Sequence, residues 1–248
     1  MADTIKFVSD NKPLMVAHRG VSGLEQENTH AAFVAAGNRS YWGIETDIRR
    51  TNDGRYVCMH DKTLTRVCGD DITIEQCSYE TVRGLLLREK SGEKGRSDIR
   101  IPLLEDYVRI CKHYEKVCVL ELKGIYETEH LREVLNIIDA ESWLEHTVII
   151  DFTLENLIRL REIAPDQKAQ FLTFGKNFED PSAVEEMYDV LNRYNLDLDI
   201  YHKVLTPEMA ARVHGDGHVI NVWTVDQLED ASRCAEMNVE YITSNILE

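Results

Sequence analysis

The chain has 248 residues, 43% of them apolar, and sets 28 Lys+Arg against 44 Asp+Glu for a net charge of −16. That composition excludes a disordered chain, and the length suits one large domain or two small ones. The acidic balance argues against nucleic acid as a partner and against charge-driven attachment to anionic lipid.

In chain order, short apolar runs alternate with longer amphipathic segments. The expected strands cover 14–17, 43–48, 56–60, 117–122, 147–152, 169–173, 196–200, 219–223 and 240–243. The expected helices cover 29–38, 104–114, 128–138, 154–163, 181–193, 207–213 and 227–237. Thr206-Pro207-Glu208 sets a capping hydroxyl before a proline at the first helical position, and Asp226 is expected to cap the helix that opens at Gln227. Strands separated by helices argue for βαβ units and parallel pairing. Eight or nine strands and about seven helices in this length fit an α/β fold of the (β/α)8 TIM-barrel type. No dinucleotide fingerprint follows the first strand, which weakens the open doubly wound alternative. Residues 62–100 break the alternation: they are polar, hold four glycines, and read as a small insertion within a single 1–248 domain.

No run approaches the roughly 18 apolar residues of a membrane helix, so no stable membrane insertion is expected. The first twelve residues are polar and lack a basic-then-apolar export pattern. The six cysteines form no C-x-x-C pair and are expected to be small reduced hydrophobes of a cytoplasmic protein.

Four polar clusters stand at the ends of expected strands: His18-Arg19-Gly20, Glu45-Thr46-Asp47, His60-Asp61 and Glu121-Leu122-Lys123. In a parallel barrel the carboxyl ends of the strands share one cup, where active sites sit. Alternation along a strand sends Glu45 and Asp47 to one face, and likewise Glu121 and Lys123. The helix-facing side is dry, where an unpaired carboxylate would cost several kcal/mol, so both pairs belong on the inward side. Three carboxylates on one rim repel unless a cation lies among them. Their oxygens suit Mg2+ or Ca2+ better than zinc. Arg19 and Lys123 would add fixed positive charge for an anionic substrate. His18 and His60, with reference pKa values near 6.5, are suited to acid–base work. Taken singly, each cluster has an ordinary reading as a solvated strand end, a turn or a rim ion pair. Their agreement at four strand ends favours function.

Beside these, Glu27 is expected to cap the helix that starts near Thr29, and Phe152 to be a core residue. Tyr201-His202 reads as an ordinary rim pair, although it lies where a leaving alcohol would be reached.

The chain resembles the glycerophosphodiester phosphodiesterase family. The likeness rests on Ala17-His18-Arg19-Gly20, Glu27-Asn28-Thr29, Gly43-Ile44-Glu45-Thr46-Asp47, Thr51-Asn52-Asp53-Gly54 and His60-Asp61 with Leu64-Thr65-Arg66. It continues through Ile101-Pro102-Leu103-Leu104-Glu105, Leu120-Glu121-Leu122-Lys123, Leu205-Thr206-Pro207-Glu208 and Val222-Trp223-Thr224-Val225. The resemblance implies a (β/α)8 barrel with a small insertion after the second strand. It implies one divalent metal ion, Ca2+ or Mg2+, on Glu45, Asp47 and Glu121, with His18 and His60 as the acid/base pair. Arg19 and Lys123 match phosphate-binding positions, and Trp223 matches an aromatic that packs on the glycerol moiety. The implied reaction turns a glycerophosphodiester and water into an alcohol and sn-glycerol 3-phosphate. Attack by the neighbouring glycerol hydroxyl gives a cyclic phosphate that water then opens. Two alternatives stay open: a lysophospholipase D- or phosphatidylinositol phospholipase C-like lipid enzyme, for which Leu85-Leu86-Leu87 would contact a lipid chain, and a non-catalytic phosphate- or polyol-binding barrel. Two departures matter. Gln26 stands where the family often has Pro, and the last strand ends Thr243-Ser244-Asn245-Ile246, where the family often reads Thr-Asp-x-Pro.

Overall fold

The apolar runs close into a ring of parallel strands. In a computed structural model that describes residues 3–176, 178 and 180–248, β1 (Leu14–Ala17) pairs with β2 (Gly43–Arg50) on one side and β9 (Tyr241–Ser244) on the other. From β9 the ring continues through β8 (Ile220–Trp223), β7 (Asp197–Tyr201), β6 (Ala169–Thr173), β5 (Thr147–Asp151) and β4 (Val117–Leu122), and β4 returns to β2. These eight strands are all parallel, so the fold is a TIM barrel. The extra strand β3 (Tyr56–Cys58) runs antiparallel to the far end of β2, pairing Arg50 with Tyr56. That hairpin lengthens β2 two residues beyond its expected end. It also stops β3 at Cys58, leaving His60-Asp61 in a turn. Gly54, at φ +79°, supplies the left-handed corner between the two strands.

The helices α1 (His30–Gly37), α3 (Leu104–His113), α4 (Thr128–Ala140), α5 (Leu154–Ile163), α6 (Pro181–Tyr194), α7 (Pro207–Gly215) and α8 (Leu228–Glu236) follow the strands they were expected to follow, with α2 (Tyr79–Gly84) added inside residues 62–100. Several starts are set locally. Thr29 accepts from the Ala32 amide and Thr206 from the Met209 amide, with Pro207 at the first helical position. Glu27 is therefore not the cap of α1. Asp226 does not cap α8 either: Gln227 holds the cap position and makes no side-chain bond there.

Alternation along each strand builds two layers. Outward residues such as Ile44, Ile48, Leu120, Leu198 and Val222 join the helices in the main core. Each fully buried aliphatic side chain of this kind contributes about 1.5–3 kcal/mol. Inward residues Val16, Val119, Val148, Ile150 and Leu172 plug the barrel below its upper mouth. On the β6–β9 side the plug is polar instead. There Asn221 donates to Asp199 Oδ2 at 3.1 Å and accepts from Thr243 Oγ1 at 3.1 Å.

The segment 62–100 is polar overall, yet it gathers an apolar cluster of its own from Leu64, Val67, Cys68, Ile74, Val82 and Leu87, joined to Val57, Met59, Ile99 and Ile101. Its short α2 starts at Ser78, whose hydroxyl accepts from the Thr81 amide. All six cysteines are free thiols, five of them buried. No helix among the described residues is long and apolar enough to cross a membrane.

Candidate active site

The strand ends meet in a cup of about 550 Å³ at the carboxyl end of the barrel, walled by His18, Arg19, Glu45, His60, Glu121, Lys123 and Trp223 among others. Strand register explains the acidic corner. Asp47 of β2 lies directly across from Glu121 of β4, and Glu45 lies one pleat below Asp47. Glu45, Asp47 and Glu121 are all buried and offer ligand atoms within 4.8 Å of one another. Like charges opposed across strands are unfavourable in themselves, so these acids need cationic company. Lys123 Nζ contacts both Glu121 Oε1 and Asp47 Oδ1, the latter at 3.1 Å. Arg19 Nε lies 3.3 Å from Asp47 Oδ2.

The three carboxyls divide this positive charge unequally. Burial works against Asp47 as an anion, but Lys123 and Arg19 win and hold its carboxyl well below the ordinary carboxylate range. Burial, Asp47 and Glu121 push Glu45 well above that range. Burial and Asp47 push Glu121 up to about 8. Glu45 Oε1 is buried without a hydrogen-bond partner among the described residues, and Asp47 Oδ1 has only the Lys123 ammonium beside it. An oxygen-only donor set with unsatisfied lone pairs is a good match for a hard divalent cation.

Loop geometry brings the first cluster to the acids. Arg19 adopts φ +54° and Gly20 φ +72°, which turns the Arg19 amide onto Glu45 Oε2 at 2.7 Å. A side chain at residue 20 would also strike the Ala32 backbone, with a Cβ only 2.6 Å from its carbonyl carbon, so this tight return toward α1 requires glycine. Asn28, also left-handed, donates to Asp47 Oδ2 at 2.8 Å and accepts from Thr46 Oγ1 at 2.7 Å, which fixes the Asp47 rotamer.

The two histidines flank the acids. His18 Nδ1 meets Asn245 Oδ1 at 2.7 Å, and its Nε2 lies 4.0 Å from Glu45 Oε2. Burial and the adjacent Arg19 lower the His18 imidazole to about 4, against the pull of Asn245 and the nearby acids. His60 Nδ1 meets the Asp61 carboxylate at 2.7 Å. Burial lowers this imidazole too, while Asp47 draws it back up. Asp61 is held by Arg66 Nε at 2.7 Å, and Arg66 forks onto Glu27 with two bonds of 2.7 Å. Glu27 in turn accepts from Arg19 Nη1 at 2.9 Å. Glu27 is thus the bridge between the Arg19 corner and the His60 turn.

The far wall is aromatic. Trp223 packs edge-on against Phe152 and Phe174, with centroids 5.6 and 4.8 Å away, and Tyr201 lies 5.8 Å from it. Phe152 stacks on Phe174 at 4.9 Å and lines the cup, so it is a wall residue rather than core. Trp223 Nε1 has no hydrogen-bond partner among the described residues, nor has Asp199 Oδ1 on the floor. Phe174 carries no sequence signal: it is a lone aromatic past the end of β6, and only barrel closure brings it beside Trp223. His202 turns away from the cup, buried against Arg233 at 3.1 Å.

All eight residues singled out from sequence, His18, Arg19, Glu45, Asp47, His60, Glu121, Lys123 and Trp223, therefore line or adjoin this cup. The chain is similar to a glycerophosphodiester phosphodiesterase of Caldanaerobacter subterraneus, with 28% identity over 94% of each chain. Among solved structures it superposes on an Oleispira antarctica phosphodiesterase in complex with the product sn-glycerol-3-phosphate, with TM-score 0.77, 22% identity, and 95% of this chain and 94% of that one covered. It also superposes on the glycerophosphodiester phosphodiesterase of Thermotoga maritima, with TM-score 0.74, 23% identity and 94% of each chain covered. The glycerophosphoryl diester phosphodiesterase family model matches residues 18–247. On that match, carried by nearly the whole barrel and its rim, the chain belongs to the glycerophosphoryl diester phosphodiesterase family.

Proposed function

We propose that this protein hydrolyses glycerophosphodiesters to an alcohol and sn-glycerol 3-phosphate, as one barrel domain with residues 62–100 inserted in it. His18 and His60 are the proton-transfer pair, and one divalent ion, Ca2+ or Mg2+, is held by Glu45, Asp47 and Glu121. The observation that carries this reading is the convergence of three buried carboxylates, two cations and two imidazoles in a single cup. When bound, the ion supplies Lewis-acid polarisation of a phosphoryl oxygen.

The chain's own residues divide the remaining work. Arg19 and Lys123 bind the phosphate oxygens, Arg19 as a planar fork fixed by Glu27. Trp223 packs on the glycerol carbons. His18 accepts the proton of the glycerol 2-hydroxyl as that oxygen bonds to phosphorus. His60 donates a proton to the alcohol oxygen as its bond to phosphorus breaks. The internal hydroxyl is effective because it is already adjacent to its target. Water then opens the cyclic phosphate with the roles reversed: His60 takes a proton from water, and His18 returns its proton to the glycerol oxygen. One water is consumed and both rings regain their starting states. The ring partners support this division, since His60 faces a carboxylate that steadies an imidazolium, whereas His18 faces a neutral amide.

A water-soluble substrate is favoured over a lipid. Leu87 is buried and Leu85 packs on the same cluster, so the three leucines offer no continuous apolar mouth. The free cysteines support a reducing compartment such as the cytoplasm. The test is release of glycerol 3-phosphate from glycerophosphocholine or glycerophosphoethanolamine by purified protein with Mg2+ or Ca2+, beside a long-chain lysophospholipid. Turnover of the lipid alone would establish the lipid enzyme. Binding without turnover of any diester, with any divalent ion, would establish the non-catalytic barrel.

A further inference from the structure

The end of β9 carries Ser244 and, just past it, Asn245, neither of them a carboxylate, and the fold supplies a carboxylate from elsewhere. Asp226, in the connection between β8 and α8, accepts from Ser244 Oγ at 3.0 Å, the Asn245 amide at 2.8 Å and Asn245 Nδ2 at 2.6 Å. A carboxylate only accepts, so the side of the Asn245 amide that faces it must be the NH2 group. The amide oxygen is then forced the other way, where Ser22 Oγ lies at 2.6 Å and His18 Nδ1 at 2.7 Å. An amide oxygen also only accepts, so His18 Nδ1 must carry a hydrogen. In the neutral ring the lone pair is left on Nε2, the atom on the Glu45 side, 4.0 Å from Oε2.

We propose that Asp226 and Asn245 are positioning residues that fix His18 in its Nδ1–H tautomer through an amide relay, so that Nε2 is the atom that accepts the substrate proton. The relay anchors the ring at both ends of the chain, since His18 follows the first strand and Asn245 the last. It differs in kind from the direct carboxylate behind His60. The amide passes on the orientation imposed by Asp226 without bringing its charge to the ring.

The proposal rests on His18 being the proton acceptor of the reaction, but the tautomer is readable without turnover. In protein with 15N-labelled histidine rings, the His18 signals, assigned by their loss in His18→Gln, are expected to show a protonated Nδ1 and an unprotonated Nε2. Asn245→Ala is expected to lower kcat about 100-fold with KM within about threefold, and to mix the two tautomers. Asp226→Ala is expected to lower kcat about tenfold, because the amide is free to flip. Ser244→Ala removes one tie of Asp226 to β9 and the acceptor of the Ile246 and Leu247 amides, but leaves every bond of the relay, and is expected to keep kcat within about threefold. The exchange Asp226→Asn with Asn245→Asp restores an acceptor on His18 and is expected to recover the Nδ1–H signature that Asn245→Ala loses. A wild-type ring protonated at Nε2 alone would overturn the proposal. So would an Asn245→Ala protein with unchanged kcat and ring signals, or a loss in Ser244→Ala as deep as that in Asn245→Ala. A wild-type protein that turns over no diester would defeat the functional reading instead, and the nitrogen signals would still decide this one.

Discussion

The two halves of the cup are built from different physics. On the β1–β2–β4 side the wall is made of ionisable side chains, and four of them are each held by a named partner: Asn28 for Asp47, Glu27 for Arg19, Asp61 for His60, Asn245 for His18. On the β5–β8 side the wall is three aromatic rings in mutual edge and stacked contact, and two polar atoms there, Trp223 Nε1 and Asp199 Oδ1, have no hydrogen-bond partner among the described residues. On the proposed function, the difference sets proton transfer and phosphate binding on one half of the strand scaffold and the glycerol platform on the other. Electrostatic work needs groups fixed in advance, because their value depends on distance and orientation. Recognition of a small polyol needs an apolar platform with a few free donors and acceptors.

If that division holds, substitutions in the charged half will act on kcat and those in the aromatic half on KM. The largest effect is expected from the histidines. His18→Ala and His60→Ala should each lower kcat by about 10²–10⁴-fold, while thermal unfolding stays within a few degrees of wild type, since neither ring belongs to the packed core. Unfolding of both variants would assign them a structural role. Next come the acids. Glu45→Gln should weaken divalent binding by about 100-fold, read by calorimetry, and lower activity with it. In the wild type, Mg2+ or Ca2+ at 100 times its Kd should add about 2.7 kcal/mol to unfolding stability, an increment that chelation removes and that Glu45→Gln should not show at the same concentration. A Tm indifferent to divalent ions would mean that Lys123 and Arg19 alone neutralise the cluster.

The aromatic half should respond more gently. Trp223→Ala is expected to raise KM for a glycerophosphodiester about tenfold with kcat nearly kept. A fall in kcat with constant KM would erase the distinction between the halves. The smallest effect concerns the floor. Burial raises the Asp199 carboxyl well above its ordinary value, with Asn221 opposing. A carboxyl whose folded-state pKa is raised binds its proton more tightly when folded. Its contribution is fully present below the unfolded value near 3.9 and is lost as pH rises toward the folded value. Asp199→Asn should therefore raise Tm relative to wild type more at pH 9 than at pH 4. A difference independent of pH would show that Asp199 is ionised in the folded protein.

The strands and the charged half were legible in the sequence because each is local. Apolar runs of four to six residues mark the strands, and the alternation of Glu45 with Asp47 and of Glu121 with Lys123 fixes which side they face. The aromatic half was only partly legible. Trp223 sits inside a motif, whereas Phe174 is a single ring in a loop, and Phe152 looks like core because a phenylalanine at a strand end has no periodicity to show which way it turns. Asp226 and Glu27 read as helix caps because a carboxylate before a helix usually is one. Each is drawn off instead by donors outside its helix, Ser244 and Asn245 for Asp226 and Arg19 with Arg66 for Glu27.

What the sequence alone determined is the barrel and the residues that stand at its strand ends, since hydrophobic period, strand-end chemistry and helix starts are properties of neighbouring residues. What only tertiary structure decided is how those groups are held. The opposition of Asp47 to Glu121 is a matter of strand register. The tautomer of His18 depends on Asn245 and Asp226, which closure of β9 against β1 brings to it from the other end of the chain. Hydrogen-bond partners this far apart in sequence are chosen by the closure of the ring, and no local pattern encodes them.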